Sequence, residues 1–569
     1  MSGSMHCSAK GTVYVSSAHW ISIMDSISEL RECIENPSAS PELSHQLPLT
    51  KPDTDSVPHL LSARNATTTK SEILQAMPDR SVVDRHVFWY FNRQPLVFIH
   101  TPSFLRQYET FWENPSAAPV LWLSILFGIM CLTPLDHVAS PPLPGDTATS
   151  RSGLYQPLYL TQIMQCLVLG DYSRGGPFAV EALFCYFVVE HSRRCDTDAS
   201  NWSLYGLIVR LALRKGYHRE PSLFPNITPY EGELRRRLWM MLYFVDVVIS
   251  IQMGLPRLIK DEQCDAGLPH NLLDSDFGED TKPLPTPRPD TEITPIQFWV
   301  ARYKLLIIIA RIADMSLITT GNPCSGTKVK DMDTLLRTTY DQLPPVMKFT
   351  SLVACLGASP DTTANRLSVS ILFQKGLIIL HRGYVVGGGS SENIPVYTPH
   401  KHSASCASDS TRTCIDAALQ MLEYQDFFYH ESQEGGALAP MGWRLRSSTI
   451  AHEFLTATSV LCSYMYRVYI GDPDISQLSP ERMQAVEQAL VRTHGIWQSQ
   501  MTWSKDAQRA TEILGVLIAK LQGCAGAPRM DDLLHIRLES QSGDVGALLH
   551  DNFGLPNEEV NDFSSFIAW

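Results

Sequence analysis

The sequence has no closely spaced pair of cysteines. Its 13 cysteines contain no C-x-x-C, and only Cys7 and Cys33 precede residue 131. Structural zinc sites use such pairs because one tight turn must direct two thiolates at the same metal. We therefore expect the chain to hold no structural zinc, no other metal and no cofactor. The scattered cysteines also favour a reducing compartment.

Long apolar runs and clusters of positive charge are scarce as well. The apolar run at 120–132 is too short to cross a bilayer, and Asp246 interrupts the next candidate, so we expect no membrane span. Residues 1–10 lack the apolar core of a signal peptide. The net charge is −13 and neither terminus carries a concentrated basic face. Contact with DNA is therefore expected only indirectly, through another protein.

Sequence patterns typical of enzymes are absent. The chain contains no G-x-S-x-G, no phosphate-binding P-loop and no H-E-x-x-H. The acids in LLDSDFGEDTKP do not fit a calcium loop, because Pro285 stands at the twelfth position, where a glutamate is needed. We expect these acids to be solvated and the chain not to be an enzyme; they are Asp274, Asp276, Glu279 and Asp280.

Apolar residues recur at helical spacing along most of the chain. Hydrophobic residues make up 44% of the sequence and charged residues 18%, which is typical of a globular protein. We found no convincing strand alternation and no internal repeat, so the predicted fold class is all-α. The predicted helices lie at 156–169, 177–192, 202–215, 229–253, 295–315, 367–381, 411–429, 449–469, 480–497 and 505–521.

The segment 210–268 has the most specific pattern in the chain. Thr228 and Glu231 form a capping box, which predicts the start of a long helix. Gly254 predicts its end, and Gly216 predicts the end of the helix before it. The segment is therefore expected to contain a helix, a link with proline and a longer helix.

Three polar features of this segment have structural explanations. Asp246 lies among apolar residues, so we expect it to face an arginine or a backbone donor from a neighbouring helix. The consecutive arginines 235–237 spread around the helix and cannot form one phosphate clamp, which favours solvated or carboxylate-paired roles. His218 has no second ligand at metal-binding spacing, so it is expected to be an ordinary residue between helices.

Together these segments resemble the middle homology region of fungal zinc-cluster transcription regulators. The resemblance covers residues 14–470 and includes the H-x-P-x-F pattern that begins at His100 and the stretch LVLGDYSRGGPFAVEAL at 167–183. It implies signature residues that are expected to be structural: Asp171, Arg210, Gly216, His218, Arg219, Glu233, Arg236, Arg237, Trp239, Asp246, Gly254 and Pro256.

The predicted organisation has four parts. Residues 1–80 are expected to hold a short helix and a linker rich in proline, serine and threonine, and residues 81–470 are the regulatory region that the resemblance implies. Residues 471–543 are expected to form C-terminal helices, and 544–569 an acidic, aromatic tail. The tail is interpreted as an activation or docking segment, or alternatively as packed or frayed; its relevant residues are Asp551, Phe553, Glu558, Glu559, Asp562, Phe563, Phe566 and Trp569.

The resemblance implies a nuclear transcription regulator, and the missing cysteine pairs suggest that it lacks its own zinc cluster. We expect it to act through protein partners, such as a zinc-cluster factor or the transcription machinery, as a homo- or heterodimer. Isoleucines and a leucine at helical spacing in 21–34 can pack on such a partner or on the chain's own body. By analogy, the pathway is a secondary-metabolite or other metabolic one. Two alternatives are a helical module that senses a small molecule and a DNA-binding factor whose zinc cluster is encoded upstream of Met1.

Overall fold

A computed structural model describes most of the chain. The described residues are 4–8, 11–15, 19–25, 60, 68–92, 96–133, 157–196, 198–317, 326–351, 353–355, 357–386, 404–439, 441–442, 447–473, 475 and 478–524. Within these ranges the structure has 16 α-helices, which confirms the all-α prediction. The tail at 544–569 lies outside the described residues, as does the part of the 21–34 segment after Asp25.

The helices of the first half include one long helix in the most specific segment. They are α1 (Trp20–Asp25), α2 (Lys70–Gln75), α3 (Arg80–Phe91), α4 (Thr101–Glu113), α5 (Val120–Cys131), α6 (Pro157–Leu169), α7 (Ala179–Ser192), α8 (Ala199–Arg214) and α9 (Pro229–Met253).

The second half continues with long helices joined by loops. They are α10 (Pro295–Ser316), α11 (Gly326–Gln342), α12 (Pro360–Val386), α13 (Ala404–Glu431), α14 (Ser448–Tyr469), α15 (Pro480–Gln500) and α16 (Lys505–Cys524). Every helix predicted above is present, and α2, α3, α4, α5 and α11 are additions to that list. The loop from 283 to 294 precedes α10, which begins at Pro295.

A short hairpin precedes the helices. Strand β1 (Ser4–Ser8) pairs antiparallel with β2 (Gly11–Val15), with Ser4 opposite Val15. The sequence analysis did not predict it. The signal was available in β2, where three of the five residues are β-branched and one is aromatic, a composition typical of strands.

Helix α2 corrects the prediction of a linker up to residue 80. The Thr69 hydroxyl accepts a hydrogen bond from the Glu72 backbone N–H, and the Glu72 carboxylate accepts one from the Thr69 N–H at 2.8 Å. This capping box starts a helix whose Ile73 is fully buried. The T-x-x-E pattern was readable, but the polar composition around it concealed the helix.

Two apolar helices form the centre of the fold. Helix α5 is buried on all sides, as expected of a helix that is hydrophobic all round, and it packs against α6 and α7. Helix α12 packs against α10, α13 and α14. Among the described helices, α12 alone is long and apolar enough to cross a membrane, and 83% of its apolar window is buried inside the fold, as core helices are.

The chain divides into two compact units, 1–515 and 516–569. All the residues of the candidate site lie in the first unit. The boundaries of the four parts predicted from the sequence remain predictions.

Candidate functional site

The signature segment forms the expected pair of helices, α8 and α9. The Thr228 hydroxyl accepts a hydrogen bond from the Glu231 N–H at 3.1 Å, and the Glu231 carboxylate accepts one from the Thr228 N–H at 3.0 Å. At the other end Gly254 has φ 64°, and the next N–H donates to the Ser250 carbonyl at 2.9 Å. Gly216, with φ 73°, closes α8. These positive φ values favour glycine at both helix ends, so the predicted caps are confirmed.

The link between the two helices is held by Glu220. Its carboxylate accepts hydrogen bonds from Arg236 and from the Gly267 N–H, the latter at 2.9 Å. Burial alone would raise the pKa of Glu220, but these bonds and those from Ser222 lower it to about 2. Arg219 pairs with Asp265 at 3.0 Å on the outer side of the link. The link is therefore tied to both α9 and the 264–267 segment.

His218 lies in the link, against α9. Its ring centroid is 6.0 Å from that of Trp239, which is buried on α9. Its carbonyl accepts hydrogen bonds from the N–H groups of Asp265 and Ala266, both at 3.1 Å. Burial, with a contribution from Arg219, lowers the pKa of His218, although Asp265 opposes this. That His218 is an ordinary residue between helices stays a prediction.

The three arginines at 235–237 point to different partners. Arg235 donates to the Lys215 carbonyl at 3.1 Å and lies over the Tyr217 ring at 4.6 Å. Arg236 pairs with Glu220, and Arg237 turns into the interior. They do not form one phosphate clamp, and two of them are carboxylate-paired, as the sequence analysis expected.

Arg237 is the centre of a buried polar cluster. Its guanidinium is 3.3 Å from the carboxylate of Glu233 and 2.6 Å from that of Asp274. It also donates to the carbonyls of Val97 at 3.2 Å and Leu272 at 3.1 Å. The Glu233 side chain is 0% exposed and that of Arg237 3% exposed. The cluster therefore joins α9, the segment before α4 and the 270–277 loop.

His100, from the H-x-P-x-F pattern, connects to the same cluster. Its Nε2 is 2.9 Å from the Asp274 carbonyl oxygen and 3.1 Å from that of Phe277. Its Nδ1 is 2.9 Å from the hydroxyl of Ser103. Burial is the main cause that lowers the pKa of His100, although the neighbouring Asp274 opposes it. The two sequence signatures, 137 residues apart at His100 and Arg237, therefore meet at Asp274.

The prediction that the loop acids are solvated was wrong for two of the four, Asp274 and Asp276. Asp274 binds Arg237, and its other oxygen accepts from the Thr101 N–H at 2.8 Å. Asp276 pairs with Arg288 at 2.7 Å. Glu279 is 3.2 Å from Arg106 but is exposed, as is Asp280, so the prediction holds for these two. Arg237 lies on α9, and Arg288 lies 12 residues further along the same loop, so no short spacing pattern next to the acids indicated these contacts.

Asp246 accepts two backbone hydrogen bonds, from the N–H of Leu258 at 3.1 Å and of Ile259 at 2.8 Å. A backbone donor was expected, but it comes from the segment after α9 and not from a neighbouring helix. Burial raises the pKa of Asp246 to about 6, although the two N–H groups and Arg257 counteract part of this.

Arg257 holds the end of α9 against α10. Its guanidinium pairs with Asp314 at 2.9 Å and with Asp261 at 2.9 Å. The sequence analysis missed this contact. The sequence signal for it was the position of the arginine directly after G-L-P, which ends the helix. A turn fixed by a glycine and a proline can place the following side chain reproducibly.

The remaining signature residues lie in different places. Asp171, with φ 46°, pairs with Arg174 at 2.6 Å. Arg210 lies on the exposed face of α8, and Pro256 is exposed after α9. The structural role of the signature set as a whole remains a prediction.

Two further buried ion pairs were not anticipated. Lys375 on α12 is 2.5 Å from Glu453 on α14, and both side chains are buried. Burial raises the pKa of Glu453, and Lys375 opposes that change. Arg467 pairs with Asp472 at 2.8 Å. The first pair ties α14 to α12, and the second holds the turn that follows α14.

No group of three or more metal-binding side chains is found in the part of the chain that the structure describes. A cleft between α9, α10 and α12 is lined by Ser250, Arg257 and Arg382 among mostly apolar residues, and its volume is about 20 Å³. That is room for about one water molecule. The cleft is therefore not the large apolar pocket that a small-molecule sensor needs.

Comparison with known proteins agrees with the resemblance read from the sequence. The fungal specific transcription factor domain matches residues 86–343. The Zn(2)-C6 fungal-type transcription factor pigI of Monascus ruber is 34% identical over 544 residues, which are 94% of this chain and 64% of that protein. The Fusarisetin A cluster transcription factor fsa6 of a Fusarium species is 33% identical, over 99% of this chain and 71% of that protein.

A third relative has nearly the same extent as this chain. The transcription factor cghF of Chaetomium globosum is 30% identical, over 92% of this chain and 93% of that protein. Of pigI, in contrast, the chain spans less than two thirds. No solved structure matches the chain. On these similarities and on the domain at 86–343, the chain belongs to the fungal-specific transcription factor domain family.

Proposed function

We propose that this chain is a nuclear transcription regulator of a fungal secondary-metabolite pathway, that it acts through protein partners and that it is not an enzyme. The observation that carries the proposal is the similarity to a Fusarisetin A cluster transcription factor over 99% of the chain. Because the similarity runs through α1, the signature and the C-terminal helices alike, it supports a shared role and not only a shared domain.

The electrostatics of the described residues support action through partners. The densest run of positive charge, 235–237, is engaged by Glu220, Glu233 and Asp274 and by neutral groups. The net charge of −13 opposes binding to a phosphate backbone. A partner that binds DNA, such as a zinc-cluster factor in a mixed dimer, would supply the DNA contacts that these surfaces do not favour.

Chromatin association of the tagged full-length chain tests this proposal. After crosslinking, we expect recovery of promoters from one metabolite cluster together with a zinc-cluster protein. Deleting the gene for that partner should remove the promoter signal while the chain remains at its usual level. Promoter binding that persists in every partner deletion would refute action through partners, and no promoter binding at all would refute the regulator itself.

The acidic tail is proposed as the activating or docking segment. Residues 544–569 contain five carboxylates, no lysine or arginine, and four aromatic residues, a composition that stays solvated while it offers aromatic anchors to a partner. We expect deletion of 551–569 to lower reporter output when the chain is tethered to a promoter. The matched control replaces Phe563, Phe566 and Trp569 with alanine and keeps every charge. Unchanged output from both variants at equal protein level would refute this role.

A further inference from the structure

The sequence Ser-Pro-Glu-Arg at 479–482 begins α15. Ten Ser-Pro or Thr-Pro pairs occur in the chain, and in two of them, at Ser479 and Thr398, an arginine or lysine follows two positions after the proline. Cyclin-dependent protein kinases phosphorylate S/T-P-x-K/R sequences, because their substrate grooves recognise the proline and the positive charge. Thr398 lies outside the described residues, whereas Ser479, Pro480 and Arg482 lie at the first turn of α15.

Ser479 is exposed, and its hydroxyl does not cap the helix. It is the N-cap residue of α15, yet its side chain makes no capping hydrogen bond. Thr228 and Thr294 stand in the same position before the prolines that begin α9 and α10. The Thr228 hydroxyl accepts from the Glu231 N–H at 3.1 Å, and Thr294 is only 3% exposed. Ser479 therefore differs from both threonines, because it combines an exposed position with a hydroxyl that the cap does not use.

The turn that follows Ser479 is suited to open for a kinase. A kinase binds its substrate as an extended segment, so the first turn of α15 must unwind. The first N–H groups of a helix have no partners within the helix, and helix ends fray. Pro480 and Glu481 are exposed. Unwinding breaks the ion pair of Arg482 with Asp416 on α13, whose side chains are 43% and 39% exposed, and such pairs contribute little to stability.

We propose that Ser479 is a phosphorylation site for a protein kinase of the cyclin-dependent class that recognises Pro480 and Arg482. The Ser479 Oγ forms a bond to the γ-phosphorus of ATP, and the bond from that phosphorus to the oxygen bridging to the β-phosphate breaks, so ADP leaves. The hydroxyl proton passes to the aspartate base of the kinase. This modification does not depend on the proposed function.

The phosphate changes the contact between α13 and α15. It carries a charge of about −1.5 to −2 at the N-terminus of α15, where the helix favours negative charge. Arg482 is 2.5 Å from Asp416 in the unmodified chain and lies one helical turn from Ser479. The phosphate therefore competes with Asp416 for Arg482. When Arg482 pairs with the phosphate, α13 and α15 lose one polar contact, while the hydrogen bond from Thr493 to Gln425 at 3.1 Å remains.

Phosphorylation of the full chain in vitro tests the site. The purified chain and a synthetic peptide of residues 475–486 are incubated with a cyclin-dependent kinase, its cyclin and MgATP, and the phosphate is located by mass spectrometry. We expect modification of Ser479 in both. Arg482→Gln should slow the reaction at Ser479 at least about tenfold, because the kinase loses a charge-assisted contact. Ser359 is an internal control that should stay unmodified: it is exposed and precedes a proline, but Thr362 stands where the basic residue is needed.

Modification of the peptide but not of the full chain, or of neither, would overturn the proposal, and so would equal rates at Ser479 and Ser359. Phosphorus NMR tests the exchange of Arg482. The second pKa of an exposed phosphoserine is about 6, and a nearby cation lowers it because it favours the dianion. We expect a lower phosphate pKa in the phosphorylated wild type than in Arg482→Gln phosphorylated to completion with excess kinase. Equal values would show that Arg482 stays with Asp416. Neither readout depends on transcription, so both distinguish this proposal from the proposed function.

Discussion

The substitution Arg237→Met tests whether the buried cluster organises the signature segment. Removing one partner of a buried ion pair typically costs about 3–5 kcal/mol, because the remaining charge is left uncompensated. Here Glu233 keeps His270 at 2.7 Å and Asp274 keeps the Thr101 N–H at 2.8 Å, so part of the compensation survives. We therefore expect the free energy of unfolding to fall by about 3 kcal/mol, at the lower end of that range.

Urea unfolding followed by tryptophan fluorescence measures the effect, since Trp239 is buried two residues away on the same helix. Arg219→Met is the matched control, because its ion pair with Asp265 lies between half-exposed side chains and exposed pairs contribute little. Arg237→Lys should fall between the wild type and Arg237→Met, since lysine keeps the charge but lacks the fork that reaches several acceptors. If Arg237→Met and Arg219→Met unfold at the same urea midpoint, the cluster does not stabilise the fold as argued.

Three further predictions concern buried groups. Between pH 4 and 6 the folded chain keeps a proton on Asp246 that the unfolded chain has released. As pH rises through that window, this group therefore lowers the free energy of unfolding by about 3 kcal/mol. In urea titrations at several pH values, Asp246→Asn should remove this pH dependence. Burial lowers the pKa of His452 in the fold, so stability should fall as pH drops below 6.5, where the unfolded chain takes up a proton that the folded chain does not. In thermal unfolding, the melting temperature of His452→Phe should depend less on acid pH than that of the wild type. Gly128→Ala should destabilise the fold by about 1–3 kcal/mol, because the new Cβ would lie 2.4 Å from Sγ of Cys185. The control Gly495→Ala, which adds a methyl group to open space in a helix, should stabilise the fold by about 0.5–1 kcal/mol. Equal melting temperatures for the two variants would contradict this description of the packing.

Helix ends were predictable because their signals are local. Thr228 and Glu231 are three residues apart, and Gly254 acts on the helix that it terminates, so sequence alone located α9 correctly. The contacts of the same helix were not predictable. Arg237 binds Asp274, 37 residues later, and the Val97 carbonyl, 140 residues earlier. Which acid an arginine meets is decided by the packing of helices, and no spacing rule along the chain contains that information.

Predictions that relied on the average composition of a segment were wrong where a specific short-range contact decides the structure. The segment before residue 80 is rich in proline, serine and threonine, yet the Thr69 capping box starts α2 within it. The acids after Leu273 looked solvated because glycine and proline surround them, yet Asp276 is held by Arg288, a cation 12 residues away on the same loop. In both segments a contact between residues at most 12 positions apart determines the local structure, and the average composition does not indicate it.

The polar residues of the signature are engaged inside the fold, and this limits how regulation can work. Arg236, Arg237 and Asp246 each satisfy buried or half-buried groups, so a partner that bound them would first have to break the contacts that hold α9. Such a partner would lower stability as it bound, which is unfavourable for a regulatory contact that must reverse. A reversible regulatory contact is therefore expected to leave the ion pairs of α9 intact.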